Sequence, residues 1–479
     1  KIDGSIALTS AADGSLLHAK SLSVGENVTL AAYSKLQLVV AEISRIAGDL
    51  SLETRSLLTL NNRFINNLSY LLPYQTLDVA GAVNIATTAI LSADGQGHRN
   101  SNSQHYQLRC HAGFRAPGSM FCADGSYDQA LTAGRDAAGN SRGGGVINLK
   151  AGSIQLDGNI SAVGENGSSN NARLAYGSGG SIRLETPLLT GAGQISTIGA
   201  EVNRAGFAGF ESGGGRIAVF SADNQFSGRY LTAPDALATQ TAGAGTVYLA
   251  SNAQTAGQLI VDNGQQTTAL ATGAGTALAQ PIGRWQVGCV RQQAEHQWRV
   301  IPQGYCDDEW GSLWPENSLT NRQISSNADN NDAPLLRIIA NSSTSLLVQS
   351  EQDLNYLVGN YIVGVYQFSS LQLLNHAYLQ LGEDHLRVLD TASSVVHSSS
   401  RLLLGGANTQ LRDLLAQSGA DVRYLEQGCA GIYNDSYTGL PDELRIGSSQ
   451  YYYVSTSDNN RLFSFNVPQG AEFFNVSIR

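Results

Sequence analysis

All four tryptophans of the chain, Trp285, Trp298, Trp310 and Trp314, fall within residues 283–317, GRWQVGCVRQQAEHQWRVIPQGYCDDEWGSLWPEN, beside Asp307, Asp308 and Glu309. An indole offers a large flat apolar face and one N–H donor, a combination suited to stacking on a sugar ring or anchoring a protein partner. These four rings and three acids are therefore the candidate binding residues. The competing reading is a small module pinned by a Cys289–Cys306 disulfide that uses its tryptophans as its own core.

A second segment, 94–142, gathers His98, His105 and His111 around Cys110 and Cys122. The histidines lack the spacing of a reliable metal site, so they read as solvated loop residues and no metal is assigned. Polysaccharide cleavage needs paired carboxylates, or carboxylates with Ca²⁺ and a base, projecting from adjacent strands. Arg183, Glu185, Arg216 and Asp157 do not recur in such a register, and Asp307–Glu309 form the only dense acidic run. No catalytic residue is assigned, and a polysaccharide lyase or hydrolase remains the alternative in the enzyme class. Calcium is the one cofactor left open, at NADNNDAP (327–334) and YNDSYTGLPDE (433–443); neither has the twelve-residue loop of a regular site, and both read first as Asx turns.

Cys110/Cys122 and Cys289/Cys306 are spaced as two local disulfides closing exposed loops, which places the protein in an oxidising compartment. Cys429 is left over and reads first as a buried thiol, with an intermolecular disulfide or a partner lost by truncation as the alternative. Only 14% of the residues are charged, against about 25% in ordinary domains, and the net charge is −10. That balance argues against nucleic acid, whose affinity rests on clustered Lys and Arg. No apolar run is long enough for a membrane-spanning helix, and the start at Lys1 is expected of a processed chain or a fragment.

The elements that position these residues repeat. GGGVINLKAGSIQLDGNISAVG (143–164), GGSIRLETPLLTGAGQISTIG (179–199), GGGRIAVF (213–220) and GAGTVYL (243–249) align, with Val146, Ile182, Ile217 and Val247 as equivalent positions. Apolar residues alternate with polar ones over four or five residues, the period of a half-buried strand. Strands so short bury a face only when stacked coil on coil, and glycine at the corners admits turns with φ > 0. Weaker alternation extends upstream (LQLVVAEI, LSLETRSLLTL) and downstream (YLVGNYIVGVYQF, RLLLGG). The expected fold is all-β, a right-handed parallel β-helix (β-solenoid) with disulfide-pinned loop insertions; a globular sandwich array is its competitor.

The GGG-x-I-x-L…LDGNISAVGENG and GGGRIAVF…GAGTVYL pattern resembles the Gly-rich right-handed β-helix segments of large bacterial surface proteins of the adhesin type, and PLLRIIANSSTSLLVQSEQDLNYLVGNYIVGVYQFSSLQLL is similar to segments that follow them. The resemblance covers roughly residues 77–403. It implies a secreted, elongated, non-enzymatic protein at the bacterial cell surface.

The expected organisation is a main solenoid over 1–282, interrupted by the loop 94–142, then the Trp-rich insertion 283–317, resumed solenoid strands over 318–403 and a cap over 404–479. In the cap, Leu411, Leu414, Leu415 and Val422 have helical spacing, and further strands follow. The functional expectation is a structural or adhesive stalk displaying loops to a surface glycan or a protein. A subunit of an extracellular filament, partnered by further copies of itself, is the second reading.

Overall fold

The computed structural model describes residues 2–9, 16–19, 21–38, 43–61, 76–98, 111–114, 125–135, 141–165, 177–200, 212–233, 242–251, 256–264, 274–279, 281–306, 313–330, 332–404 and 421–424. The described chain is nearly all β, with one 3-10 turn at Asn355–Leu357 and large parallel sheets. Among the described residues no helix is long and apolar enough to cross a membrane.

Two parallel sheets advance together through the first half. One stacks Val28–Leu30, Leu50–Leu52, Thr76–Ile85, Val146–Leu156, Ser181–Thr190, Arg216–Asn224 and Thr246–Ala250; the other stacks Lys35–Leu38, Leu57–Leu60, Ile90–Ser92, Asn159–Ser161, Gln194–Ser196 and Arg229–Leu231. Each strand pairs in register with its counterpart on the next pass of the chain. The alternation seen in the sequence therefore becomes continuous buried columns: Val28, Leu50, Val83, Ile154 and Leu189 in the first sheet, and Leu36, Leu58, Leu91, Ile160 and Ile195 in the second. Both columns belong to one apolar core.

Two details differ from the sequence reading. The in-register partner of Ile182 is Ile147, and Val146 pairs with Ser181. Hydrophobicity did not separate Val146 from Ile147 because both are buried. On Val146's side of the sheet, Ser181 is covered by His111 and by the Thr132 carbonyl, so both faces of this strand are dry. The repeated glycines also serve a different purpose from the one expected. Gly144, Gly179 and Gly214 are absent from the positive-φ residues. Instead, a Cβ at these positions would lie 2.1, 1.9 and 1.9 Å from the carbonyl oxygens of Ala162, Thr197 and Thr232, so only glycine lets the chain pass that close to the second sheet.

Direction reverses after Thr246–Ala250. The strand Gln258–Asp262 runs antiparallel to it, and Ser370–Leu374 and Val395–Val396 then add parallel to Gln258–Asp262. A further sheet, Gly275–Ala277, Tyr378–Gln380, Arg401–Leu404 and Asp421–Tyr424, completes this second stack over its own core of Leu371, Leu373, Leu379, Leu386 and Leu402. Val422 thus lies on a strand paired with Leu402, a correction to the helical reading; Leu411, Leu414 and Leu415 lie outside the described residues.

The segment between the two halves of this stack is larger than the insertion expected over 283–317. Arg284–Ala294 pairs antiparallel with Gln297–Pro302, which pairs with Leu346–Gln349, then Leu335–Asn341, Gln323–Ser325 and Tyr361–Phe368, and the last returns to Arg284–Ala294. Six antiparallel strands therefore close into a small barrel, each joined to two neighbours. Residues 318–349, expected to resume stacked solenoid strands, are barrel strands instead. Tyr361–Phe368 serves both structures, because its later residues Val365–Phe368 pair parallel with His385–Val388 of the second stack.

Candidate functional site

The barrel strands alternate, and their inward side chains decide the fate of the tryptophans. Trp285 and Val287, Trp298 and Val300, Ile324, Leu336 and Ile338, Leu346 and Val348, and Ile362 fill one closed core, with Trp314, Leu319, Leu354 and Leu357 beside them. Trp285 and Trp314 pack with ring centroids 5.9 Å apart, and Trp298 donates its indole N–H to the Ser350 carbonyl at 3.2 Å. Three of the proposed sugar-stacking rings are thus buried, a correction: they are the module's own core and offer no face to a ligand. Trp310, Asp307, Asp308 and Glu309 lie outside the described residues.

Cys289 and Cys306 form a disulfide across the first hairpin, with Cα atoms 5.9 Å apart. Cys110, Cys122 and Cys429 lie outside the described residues.

With Trp285 and Val287 inward, Arg284 and Gln286 face out, and Tyr361 stands directly across from Gln286. The Arg284 guanidinium lies 5.0 Å over the Tyr361 ring and is held at 2.7 Å by Asp329. Gln286 donates to the Gly359 carbonyl at 2.7 Å, and Asn360 to that of Tyr356 at 2.8 Å. Gly359 has φ of 82°, a conformation that favours glycine. This fixed turn leaves Tyr356, Val358 and Tyr361 about half exposed, at 50%, 48% and 42%. The result is an aromatic and amide corner on the barrel's outer surface, with the surface chemistry first sought in the tryptophans. The sequence reading passed over it by taking YLVGNYIVGVYQF as one strand. Its Gly-Asn pair was the available signal of a turn.

The root of the barrel is held by buried charge. Asp384 accepts from Arg322 Nη2 at 2.7 Å and from the backbone N–H groups of Ile282 at 3.1 Å and Gly283 at 2.7 Å. Both side chains of this ion pair are almost wholly buried, at 3% and 0% exposure. A Cβ on Gly364 would meet the Asp384 carboxylate at 2.4 Å, so that strand position also depends on lacking a side chain. Arg322 stacks over the Tyr366 ring at 4.6 Å, and Tyr127 packs edge-on against Tyr366, Phe368 and Tyr248. Beside the pair, burial pushes the Glu383 carboxyl up despite the Arg284 N–H, and burial pushes His385 down. This cluster joins barrel to stack.

The remaining candidates are engaged structurally. His111, expected in a solvated loop, is fully buried with Nε2 at 3.0 Å from Ser181 Oγ, because the returning insertion packs on the sheet; His105 lies outside the described residues. Glu185 is tied by Lys150 and Arg183, whose hydrogen bonds outweigh burial and hold its carboxyl low. Asp94 accepts from Ser161 and Val163, and Asp157 from Ala192, so these carboxylates cap turns between coils. Arg216 is fully buried. In 327–334, Asn327 accepts from the Asp329 N–H and Asn330 from that of Asp332, the Asx turns expected there; residues 433–443 lie outside the described part. Among the described residues no cluster of His, Cys, Asp and Glu is placed to hold a metal.

No known protein family, curated protein or solved structure matches this chain.

Proposed function

We propose that the chain is an extracellular, elongated, non-enzymatic β-solenoid, a right-handed parallel β-helix whose coils form a stalk at a bacterial cell surface and whose inserted barrel is displayed to a surface glycan or a protein. The observation that carries this reading is the in-register parallel pairing of successive coils around continuous apolar columns, on which a closed barrel is mounted through a buried ion pair. Stacked coils lengthen a protein at the cost of few residues per rung, and insertions between them carry contacts. The Cys289–Cys306 disulfide suits an oxidising compartment. The carboxylates Asp94, Asp157 and Glu185 are bound up in caps and ion pairs, which favours a structural over a hydrolytic role.

The corner made by Tyr356, Val358 and Tyr361 is a contact surface in this reading. Negative-stain microscopy of the purified chain, with labelling of intact cells that produce it, tests the proposal. Thin rods and surface labelling are expected, with cell or matrix attachment reduced by Tyr356→Ala and Tyr361→Ala together. Compact particles, or a label reached only after lysis, would overturn it, and end-to-end fibres would move the role to filament subunit.

A further inference from the structure

The strands of the barrel carry a charge pattern opposite to that of the chain as a whole. The six barrel strands read RWQVGCVRQQA, QWRVIP, QIS, LLRIIAN, LLVQ and YIVGVYQF. They contain four arginines and no Asp or Glu, in a chain where acids outnumber bases and the net charge is −10. Arg284 is paired with Asp329; Arg291, Arg299 and Arg337 are a separate group.

Register places these three together. Trp298 and Val300 point inward, so Arg299 points out, and Arg291 lies directly opposite it on the neighbouring strand. On the next strand Leu347 faces Arg299, and two residues along, Gln349 faces both Gln297 and Arg337. Arg337 in turn faces Gln323. Gln297, Gln349, Arg337 and Gln323 therefore form an unbroken outward row across four strands, about 15 Å long at the usual strand spacing. Arg291 and Arg299 flank one end.

Among the described residues none of the three arginines has a carboxylate partner. Arg291 donates to the Cys306 carbonyl at 2.7 Å and Arg337 to Asn321. The acids nearest in sequence stand in turns: Glu295 lies 3.5 Å from His296, Asp332 sits in the Asx turn on Asn330 before the Arg337 strand, and Glu351 follows the end of its strand. Asp307, Asp308 and Glu309 follow Cys306 outside the described residues.

Like charges directly opposite on a sheet repel, and an anion bridging Arg291 and Arg299 removes that repulsion. Arginine forks grip carboxylates bidentately, and the glutamine amides between them both donate and accept, as hydroxyl groups require. A nucleic acid, with one charge per about 1.7 Å, is opposed by the net charge of the chain; a polymer with one carboxylate per sugar ring and free hydroxyls between them matches the row. We infer that this Arg–Gln face binds a carboxylated polysaccharide, a polymer of sugar acids. The inference rests on the barrel being displayed outside the cell and names the class of glycan it takes.

The test is titration of the purified full chain with polygalacturonate, with neutral dextran and with poly-glutamate, at low and moderate salt. Polygalacturonate is expected to bind, more weakly as salt rises, and dextran not to bind. Arg299→Gln with Arg337→Gln should weaken binding about tenfold or more, while Arg45→Gln, on a sheet of the first stack, should leave it unchanged. An unaltered melting temperature and an intact Cys289–Cys306 bridge establish that the double variant is folded. Failure of polygalacturonate to bind, or equal binding by the folded double variant, overturns the inference. Poly-glutamate binding as tightly as polygalacturonate overturns it in favour of an acidic protein partner. Rods that bind no polymer would refute this site alone; polymer binding by compact particles would refute the stalk and spare the site.

Discussion

Asp384→Ala is expected to be the most damaging single change at the root of the barrel. The substitution leaves the Arg322 guanidinium buried without its carboxylate, and it removes the acceptor shared by the Ile282 and Gly283 N–H groups. Breaking a buried ion pair by removing one partner costs about 3–5 kcal/mol, and each stranded buried donor costs about 1–3 kcal/mol where water cannot reach it. The two terms overlap, because both count buried polar groups stranded by the same change, and water entering the space left by the carboxylate offsets part of them, so a loss of about 4 kcal/mol is expected. Trp285, Trp298 and Trp314 all sit in the barrel core, so tryptophan fluorescence during urea unfolding reports the barrel directly. Arg322→Ala should cost a similar amount. The double variant should cost clearly less than the sum, because neither lone charge is then stranded. A loss below about 1 kcal/mol for Asp384→Ala, or additive single variants, would refute the view that this pair fastens the barrel to the stack.

Four further outcomes are expected. His385 is held neutral by burial, with Asp384, Arg284, Arg387 and Asp329 as the charges around it; its contribution is full above the unfolded value of about 6.5 and is lost as pH falls below it, so His385→Gln should flatten the drop in melting temperature between about pH 7.5 and 5.5. Replacing Cys289 and Cys306 with Ser opens a bridge spanning 17 residues and should cost about 3 kcal/mol in denaturant unfolding. Gly214→Ala would set a methyl 1.9 Å from the Thr232 carbonyl, and soluble yield and melting temperature should fall where Gly4→Ala, with open space around it, changes neither. Trp298→Ala should lower stability by about 3–5 kcal/mol, as a core cavity does, and leave polysaccharide binding by the still-folded fraction intact; a selective loss of binding would return the indole to the contact surface.

Much of the first stack was legible because its strands obey period two and glycine-rich starts mark its passes from residue 143 on. The register was off by one at Val146 because its second face is dry too, and alternation cannot say which of two buried neighbours faces the core. The glycines were found but their reason was not: a close approach between two distant segments leaves no local trace, whereas a positive φ belongs to a turn that sequence can show. The barrel was half seen. Its tryptophans and cysteines drew attention to 283–317, yet its closure depends on pairing Arg284–Ala294 with Tyr361–Phe368, a contact across many residues that no local pattern records. For the same reason Arg299 and Arg337 read as unrelated surface charges until strand register set them two strands apart. Asp384 carried no signal either, since neither acid in LGEDHLRV announces burial.

High-resolution electron microscopy or crystallography of the purified chain tests the central claim most directly. The expected density shows parallel rungs about 4.8 Å apart, Val28, Leu50, Val83, Ile154 and Leu189 in one inward column, and a closed six-stranded barrel between the 274–279 segment and Phe368. Antiparallel hairpins through residues 143–250, or an insertion whose strands fail to close, would contradict it.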